Sequence, residues 1–409
     1  MTRDEAQRLD AADPLADFVE EFVVAEERLI YLDGNSLGRL PRRTAARVDA
    51  VLRHEWGAGL VRSWADWLDL PTRVGDRIGA ALLGAGPGQV LVADSTTINL
   101  YKLAAAAVEA RPGRTVIATD EANFPTDRYV LQGLAGARGM TIRLVGEAGA
   151  LPAALDGDVA LVASSLVDYR SGAVAPAAEI TAAAHGAGAL TLWDLSHAAG
   201  AVVVSLDEWD VDLAAGCSYK YLHGGPGAPA WLYVRQELQE GLVPPVWGWF
   251  GNEDQFAMGP GWHPAAGIRR WLSGTPDVLG LTAVEAGVSV LEEAGIDRMR
   301  SKAVALTSYG ARLAERWLRP LGFTLGSPPD PAQRGSHIAL RHHEAYRLSR
   351  ALIEEAATIV DFRRPDVLRI GLAPLTTRFI DVWDGLDRLR DLAEARAWER
   401  YDRTPGRIT

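Results

Sequence analysis

Short apolar runs alternate with longer amphipathic stretches between about residues 90 and 235 of the chain. Uninterrupted apolar runs of this length, rich in β-branched residues, are typical of strands buried on both faces of a parallel sheet. The Ala-rich stretches between them have the spacing of helices that pack on such a sheet. The pattern predicts an α/β domain with a mostly parallel, seven-stranded sheet sandwiched by helices. The seven runs are VLVAD, TVIATD, TIRLVG, DVALVASSLV, LTLWDLSHA, VDLAAGC and APAWLYVR.

A different pattern follows in the last third of the chain. Residues 278–317 carry apolar side chains at helical spacing, and HHEAYRLSRALIEEA predicts another helix among strands at GSHIALR, TIVDFRR and VLRIGLAP. This indicates a smaller α+β domain, and 409 residues exceed what one core usually supports. We assign 1–50 to an N-terminal arm that completes the small domain and the cleft, 51–280 to a large domain and 281–409 to a small one.

Composition narrows the choice of partner. The chain has 42 Lys and Arg against 53 Asp and Glu, a formal net charge of -11, which repels nucleic acid and anionic lipid. Its apolar runs are far shorter than the roughly 20 residues of a membrane span, and its charged first residues lack the apolar stretch of a signal peptide. With one cysteine, Cys217, no disulfide can form within the chain. We expect a cytoplasmic protein that acts on a small molecule and binds no metal.

Two charged residues lie where an α/β sheet places its ligands. Asp194 follows the apolar run ALTLW and is expected at a strand's carboxyl end, and Lys220 lies on a glycine-rich loop after the next run. Alone, each would most often be a solvated surface residue. A buried carboxylate can hold the proton on a pyridine nitrogen, and a desolvated lysine can react with an aldehyde. The pair therefore suits an aldehyde cofactor built on a pyridine ring.

Two further segments supply what a phosphorylated ring needs. Ser95, Thr96 and Thr97 precede an Ala-rich helix, so hydroxyls and backbone N–H groups converge at a helix N-terminus that suits a phosphate. In NFPTD, Phe124 offers an aromatic face and Asp127 a carboxylate. Taken singly, the first segment would be an ordinary N-cap and the second an ordinary turn.

Together these blocks resemble the kynureninase family of fold-type-I pyridoxal-phosphate enzymes, in the aspartate aminotransferase superfamily. The resemblance covers nearly the whole chain and is carried by YLDGNSLGRLP, DSTTINL, NFPTD, DLSHAAGAV, CSYKYLHGGPGAP, WGWFG and VLRIGLAPLTTRF. Many relatives have Ala in place of Ser196, a conservative departure. The resemblance implies a homodimeric hydrolase of tryptophan catabolism, the kynurenine pathway and NAD biosynthesis. Such an enzyme cleaves L-kynurenine or 3-hydroxykynurenine to anthranilate or 3-hydroxyanthranilate, with L-alanine.

Carried over position by position, the resemblance implies a role for each site residue. Lys220 would form the Schiff base with the cofactor and move protons, and Asp194 would pair with the pyridine nitrogen. Tyr219 would bind the phosphate or donate a proton. The other residues expected around the cofactor are Thr96, Thr97, Phe124, Asp127, Ser165 and His197, with Trp249 and Thr275 reaching it from the neighbouring subunit, so that the active site lies at the subunit interface.

The resemblance also implies a substrate site. Arg369 would clamp the α-carboxylate, as its bidentate guanidinium can. Without the resemblance it would be a surface arginine at a strand end. Ser36, Trp64 and Thr275 would contact the rest of the substrate, and a Trp with a Thr resembles microbial members that prefer kynurenine without the 3-hydroxyl.

Other classes are weaker alternatives. A cysteine desulfurase or related lyase of the same superfamily needs a mobile nucleophilic cysteine, whereas Cys217 sits on an apparently buried strand. An aminotransferase of the same superfamily is an alternative that the sequence leaves open. The glycines of LLGAGPGQV follow a helical stretch and precede a strand, the reverse of the dinucleotide fingerprint. A cofactor-sensing regulator would need a basic helix-turn-helix segment, and the sequence shows none. His337, His342 and His343 lack metalloprotease spacing, and we expect them to be partly exposed turn residues.

Overall fold

The computed structural model describes residues 1–24, 26 and 28–404. Its strands, numbered along the chain, are β1 (Ile30–Tyr31), β2 (Val90–Val92), β3 (Val116–Asp120), β4 (Thr141–Val145), β5 (Val159–Ser165), β6 (Leu190–Asp194), β7 (Leu213–Gly216), β8 (Trp231–Val234), β9 (Thr324–Leu325), β10 (His337–Arg341), β11 (Thr358–Ile359), β12 (Asp361–Arg363) and β13 (Val367–Gly371). Its α-helices are α1 (Arg3–Ala11), α2 (Arg42–Ala50), α3 (Trp64–Trp67), α4 (Leu70–Ile78), α5 (Thr96–Glu109), α6 (Pro125–Arg138), α7 (Ala177–Gly186), α8 (Gln236–Gln239), α9 (Val278–Ala294), α10 (Ile296–Trp317), α11 (Ala345–Ala356) and α12 (Phe379–Glu394).

The large sheet has seven strands in the order β2-β8-β7-β6-β5-β3-β4. Each of the seven apolar runs forms one of them, so the predicted sheet is confirmed. The pairs from β7 to β4 are parallel, and β8 runs antiparallel to both β7 and β2. The small domain contains a four-stranded antiparallel sheet in the order β12-β13-β10-β9, and β1 pairs with β11.

Alternating side chains of the large sheet enter two different hydrophobic clusters. On β2, Val90 and Val92 pack in one cluster while Leu91 packs in the other, as expected for a sheet that is covered on both faces. The Ala-rich helix α5 fills the second cluster, and α9 covers the first. The sheet is thereby held rigid, and the carboxyl ends of its strands are left to form a ligand site.

A third hydrophobic cluster marks the small domain. It joins Ile30 and Leu32 from the N-terminal arm to side chains that begin at Leu306 in α10 and end in α12. Helix α9 and Met299 belong instead to the large-domain cluster. The expected boundary at residue 281 falls within α9, which contributes Leu281, Val284 and Leu291 to the large-domain cluster. We propose that the boundary lies inside α10, because that is where packing passes from one cluster to the other.

The long helical segment of residues 278–317 is two helices. They meet at Gly295, whose φ of +78° lies in the left-handed region that glycine adopts without strain. None of the described helices is long and apolar enough to cross a membrane.

Helix α4 approaches the large sheet so closely that Gly75 has no room for a side chain. A Cβ at this position would lie 2.1 Å from the carbonyl oxygen of Val90, whereas one at Gly133 in α6 would meet nothing within 4 Å. We expect Gly75→Ala to destabilise the protein by about 1–3 kcal/mol through overpacking. We expect Gly133→Ala to stabilise it by about 0.5–1 kcal/mol, because alanine loses less backbone entropy in a helix. Thermal unfolding of both variants beside the wild type tests this, and a Gly75→Ala melting temperature at or above that of Gly133→Ala would contradict it.

Candidate active site

The carboxyl ends of β3, β5 and β6 meet beside a cavity of about 290 Å³. Strand-to-helix turns line it, because parallel neighbours bring their carboxyl ends to one edge of the sheet. The cavity contains nine of the predicted cofactor residues: Thr96, Thr97, Phe124, Asp127, Ser165, Asp194, His197, Tyr219 and Lys220. The structure thus brings together residues that lie up to 124 positions apart in the sequence.

Lys220 lies on the turn that follows β7 and is almost fully buried. The N-terminal arm holds this turn in place, since the Gly38 N–H donates to the carbonyl of Tyr219 at 2.9 Å. The Lys220 Nζ lies 2.9 Å from Nε2 of His197. Burial, and then the positive charge of Lys220, lower the pKa of His197 well below its usual value. A neutral imidazole can accept a hydrogen bond from the lysine amine, so we assign that tautomer to His197.

Two carboxyl groups face each other next to this lysine. Asp194 ends β6, and its Oδ1 accepts a hydrogen bond from the backbone N–H of Ser196 at 2.8 Å. Asp127 lies in the first turn of α6, where burial and then the neighbouring Asp194 carboxylate raise its pKa well above its usual value. Asp127 therefore keeps its proton beside Asp194.

The N-terminus of α5 forms the opposite wall of the cavity. Ser95 is the N-cap, and its hydroxyl accepts a hydrogen bond from the Ile98 N–H at 3.4 Å. The buried amide of Asn99 donates to the carbonyl of Ala93 at 2.8 Å and fixes the preceding turn. The first backbone N–H groups of a helix have no acceptor within it, so this wall suits an anion beside the hydroxyls of Thr96 and Thr97.

The aromatic side chain of Phe124 also borders the cavity. Phe124 is 36% exposed and packs edge to face on Tyr169, with ring centroids 5.1 Å apart. Asn123 fixes its backbone, because the Asn123 Oδ1 accepts hydrogen bonds from the Phe124 N–H at 2.8 Å and from the Ser165 hydroxyl at 2.7 Å.

Arg369 lies in the small domain and contacts Tyr169, which lines the cavity, without lining the cavity itself. It lies within β13 and is buried. The alternative interpretation, a surface arginine at a strand end, is therefore wrong. Its Nε and Nη2 donate to the carboxylate of Asp361 at 3.1 and 2.6 Å, and its Nη1 donates to the carbonyl of Tyr169 at 2.6 Å. Nη2 also donates to the hydroxyl of Ser36 at 3.0 Å. Because these bonds use four of the five guanidinium N–H groups, one on Nη1 remains for a ligand.

Of the five predicted residues that do not line this cavity, Arg369 and Ser36 bond to each other beside Tyr169, and the other three lie elsewhere. Trp64 and Thr275 line a separate, apolar surface cavity of about 520 Å³ that also includes Trp56 and Val61. Trp249 packs edge to face on Phe250, with ring centroids 4.4 Å apart. One chain alone therefore does not bring these residues to Lys220.

The histidines differ from their predicted exposure. His337 and His342 are buried and only His343 is exposed, because His337 lies within β10 and His342 packs on Phe323. His337 lies near the site, with its ring centroid 5.6 Å from that of His197, and burial lowers its pKa to about 3. Within the described part of the chain, no group of His, Cys, Asp and Glu side chains could hold a metal ion.

Cys217 directly follows β7 and is buried, and burial raises the pKa of its thiol. Its position fits the predicted core role, and a thiol that keeps its proton is a poor nucleophile.

Sequence reasoning missed Asp361, Tyr169 and Asn123, all of which shape the site. Asp361 carried a usable signal, because a charged residue inside the apolar strand pattern TIVDFRR needs a partner if it is buried. Tyr169 contributes its backbone carbonyl to Arg369, and such a role leaves no side-chain signature.

The donors around the cavity fit pyridoxal phosphate. Lys220 offers an amine for the aldehyde, Asp194 a carboxylate for the ring nitrogen, Phe124 an aromatic face, and the α5 N-terminus a phosphate site. Two buried polar atoms, Asp127 Oδ2 and His197 Nδ1, have no hydrogen-bond partner among the residues described. Such atoms are costly to leave unpaired, and polar groups of a bound ring can reach them.

Comparison with solved structures shows which architecture this is. The C-DES protein with glycine covalently linked to its PLP cofactor matches with a TM-score of 0.79 at 17% identity, over 89% of this chain and 97% of that one. The cysteine desulfurase CsdA from Escherichia coli matches with a TM-score of 0.77 at 19% identity, over 95% and 99%. These likenesses confirm the predicted fold class.

Sequence comparison is more specific. The family model described as the kynureninase C-terminal domain matches residues 299–389. Kynureninase from Pseudomonas fluorescens is 42% identical over 405 residues, which cover 97% of both chains. Kynureninase from Burkholderia pseudomallei strain 1106a is 43% identical over 405 residues, with the same coverage. Identity at this level over nearly the whole length, together with a site that fits the cofactor, shows that the chain belongs to the kynureninase family.

Proposed function

We propose that this protein hydrolyses L-kynurenine to anthranilate and L-alanine with pyridoxal phosphate held on Lys220, and that it accepts 3-hydroxykynurenine less well. The observation that carries the proposal is the contact between the buried Lys220 amine and a neutral His197, with Asp194 in the same cavity. When bound, the cofactor supplies an electron sink that accepts the charge left by bond cleavage.

Asp194 would keep the pyridine nitrogen of the cofactor protonated. Its carboxylate is anchored by the Ser196 N–H, and the neighbouring Asp127 stays neutral. A single negative charge in a buried site attracts the pyridinium proton, whereas two would repel each other. Asp127 is then able to donate a hydrogen bond rather than compete for the proton.

Lys220 moves the protons. With cofactor and substrate bound, the Lys220 amine would remove the proton from the substrate α-carbon. The hydrogen bond to His197 orients Nζ, and a neutral imidazole leaves the amine free of a competing charge nearby.

Arg369 binds the substrate carboxylate. Asp361 holds the guanidinium along its Nε–Nη2 edge, and the Tyr169 carbonyl takes one N–H of Nη1, which leaves the other for the ligand. Ser36, which donates to Asp361 at 2.8 Å and accepts from Arg369, lies beside Nη2. A charge-assisted hydrogen bond from the remaining Nη1 N–H orients the substrate relative to Lys220.

Tyr219 is suited to donate a proton to the alanine fragment after a water molecule has attacked the γ-carbonyl of the substrate. Burial raises the pKa of its phenol above the usual value, so the hydroxyl keeps its proton at neutral pH. The Nζ of Lys220 lies 5.8 Å from the centre of the Tyr219 ring, close enough for the two groups to act on one substrate.

The active site is completed by a second copy of the chain. Trp249 and Thr275 lie away from the cavity of their own subunit, and apolar side chains around Thr275 are exposed, with Val61 at 77% and Leu60 at 60%. Contiguous exposed apolar surface of this kind is typical of subunit interfaces. In the homodimer, Trp249 and Thr275 would reach the cofactor phosphate of the neighbouring subunit. Trp64 and Thr275 would contact the aromatic end of the substrate.

Replacing Lys220 tests the central assignment. We expect Lys220→Ala to lose the visible absorbance of the lysine-linked cofactor and to release anthranilate about 10³-fold more slowly or worse. Absorbance spectra and anthranilate fluorescence provide the two readouts, and circular dichroism checks folding. A variant that kept both the absorbance and the activity would rule out Lys220.

Arg369 can be separated from its neighbour Arg363, which also pairs with Asp361, at 2.7 Å. We expect Arg369→Ala to lower kcat/KM for kynurenine by about 100-fold or more, because the charge-assisted contact with the substrate carboxylate is lost. The matched control Arg363→Gln should change kcat/KM by less than about tenfold, since it disturbs Asp361 without removing the clamp. Equal losses in the two variants would remove Arg369 from the carboxylate site.

The pair Trp64 and Thr275 predicts which of the two kynurenines the enzyme prefers. We expect kcat/KM for kynurenine to exceed that for 3-hydroxykynurenine by about tenfold or more, because this pair resembles that of microbial members and a hydroxyl buried against the Trp64 ring loses its hydrogen bonds to water. Steady-state kinetics with both substrates measures the ratio. A ratio at or below one would contradict the expected preference while leaving the cleavage reaction unaffected.

A further inference from the structure

A buried ammonium group lies just behind the proposed phosphate site. Lys102 projects from α5 with a side chain that is 1% exposed. Its Nζ donates to Asp94 Oδ2 at 2.5 Å, to Ser273 Oγ at 2.6 Å and to the carbonyl of Trp271 at 2.9 Å. All three N–H groups of the ammonium are thus used, and they hold two segments that are far apart in the sequence.

The first segment is the turn that leads into the phosphate site. Asp94 has a φ of +52°, a left-handed conformation that a non-glycine residue keeps only when its surroundings hold it there. Its carbonyl accepts a hydrogen bond from the Ala230 N–H at 2.9 Å, and the next residue is the N-cap Ser95. The position of Asp94 therefore sets the position of the α5 N-terminus.

The second segment, residues 248–275, is termed here the crossing segment. Ser273 organises it, because the Phe250 N–H donates to the Ser273 carbonyl at 3.3 Å. A Cβ at Gly248 would lie only 1.9 Å from the same oxygen, so the two strands of chain are in direct contact. Trp249 and Thr275, the residues assigned to the neighbouring subunit's site, flank this contact. Lys102 thus fixes the base from which both residues project.

Loss of the Lys102 charge and loss of its hydrogen bonds are expected to change phosphate binding in the same direction. Without the ammonium group, the Asp94 carboxylate would remain close to a phosphate dianion that it repels. The turn and the crossing segment would also lose their shared anchor. Both effects weaken phosphate binding, so the expected sign of a substitution does not depend on which effect is larger.

We propose that Lys102 is a positioning residue that joins the phosphate-binding turn to the crossing segment, and so couples cofactor binding to association of the two subunits. The inference rests on the proposed function, because it needs a cofactor phosphate at α5 and a second copy that receives Trp249 and Thr275. Coupling of this kind is reciprocal: if the dimer binds the cofactor more tightly, the cofactor tightens the dimer by the same factor.

Lys102→Met tests the coupling, because methionine keeps much of the side-chain volume without the charge. Lys302→Met is the matched control: Lys302 and Asp13 form another buried ion pair, with 2.6 Å between Nζ and Oδ2 and 4% exposure on each side, away from the cavity residues. Apo and pyridoxal-phosphate-loaded forms of the wild type and both variants are compared. The readouts are the pyridoxal-phosphate dissociation constant, from the visible spectrum, and the dimer dissociation constant, from sedimentation velocity at a series of protein concentrations.

We expect Lys102→Met to weaken pyridoxal-phosphate binding by about tenfold or more, and to reduce the cofactor's effect on the dimer constant towards one. Lys302→Met should lower the melting temperature but leave both constants within about twofold of the wild type. Should Lys102→Met fail to fold, Ser273→Ala removes one bond to the same ammonium and should weaken cofactor binding by about fivefold.

Two results would overturn the inference: equal pyridoxal-phosphate affinity in the wild type and Lys102→Met, or an equal loss in Lys302→Met. These failures are distinguishable from failure of the proposed function, which would show in the wild type itself as a protein that neither binds the cofactor nor releases anthranilate.

Discussion

The desolvation of Lys220 is the constraint on which the rest of the site depends. A lysine in this cavity has lost most of its water, and its nearest polar contact is a histidine that cannot easily become charged beside it. The same burial keeps Asp127 neutral next to the Asp194 carboxylate. The protonation states of His197 and Asp127 are therefore set by burial and by their neighbours, and a change in one of these groups alters the chemistry available to the others.

The rigid part of this arrangement comes from the large sheet. Asp120, Ser165 and Asp194 end three adjacent strands, and both faces of those strands are buried under helices. The small domain adds a guanidinium that is already paired with Asp361. A buried arginine without a counterion would cost several kcal/mol, so Asp361 makes it possible to keep Arg369 in place before substrate binds.

Much of this could be predicted from the sequence, and the reasons are local. Apolar runs mark buried strands, and polar residues at their ends mark the ligand edge, so the seven strands and the residues around Lys220 follow from patterns within a few positions. The remainder depends on contacts between distant segments. Asp361 meets Arg369 through an antiparallel register, and Ser36 joins them from 325 positions away. The buried histidines and the proposed boundary within α10 likewise follow from tertiary packing, which local patterning does not encode.

The central claim is that this site breaks the bond between the β- and γ-carbons of kynurenine, rather than transferring its amino group. The most direct test is to incubate the purified protein with pyridoxal phosphate and L-kynurenine and to quantify every product by chromatography. We predict anthranilate and alanine in equal amounts, over many turnovers. Consumption of kynurenine with a keto acid as product and no anthranilate would contradict the account.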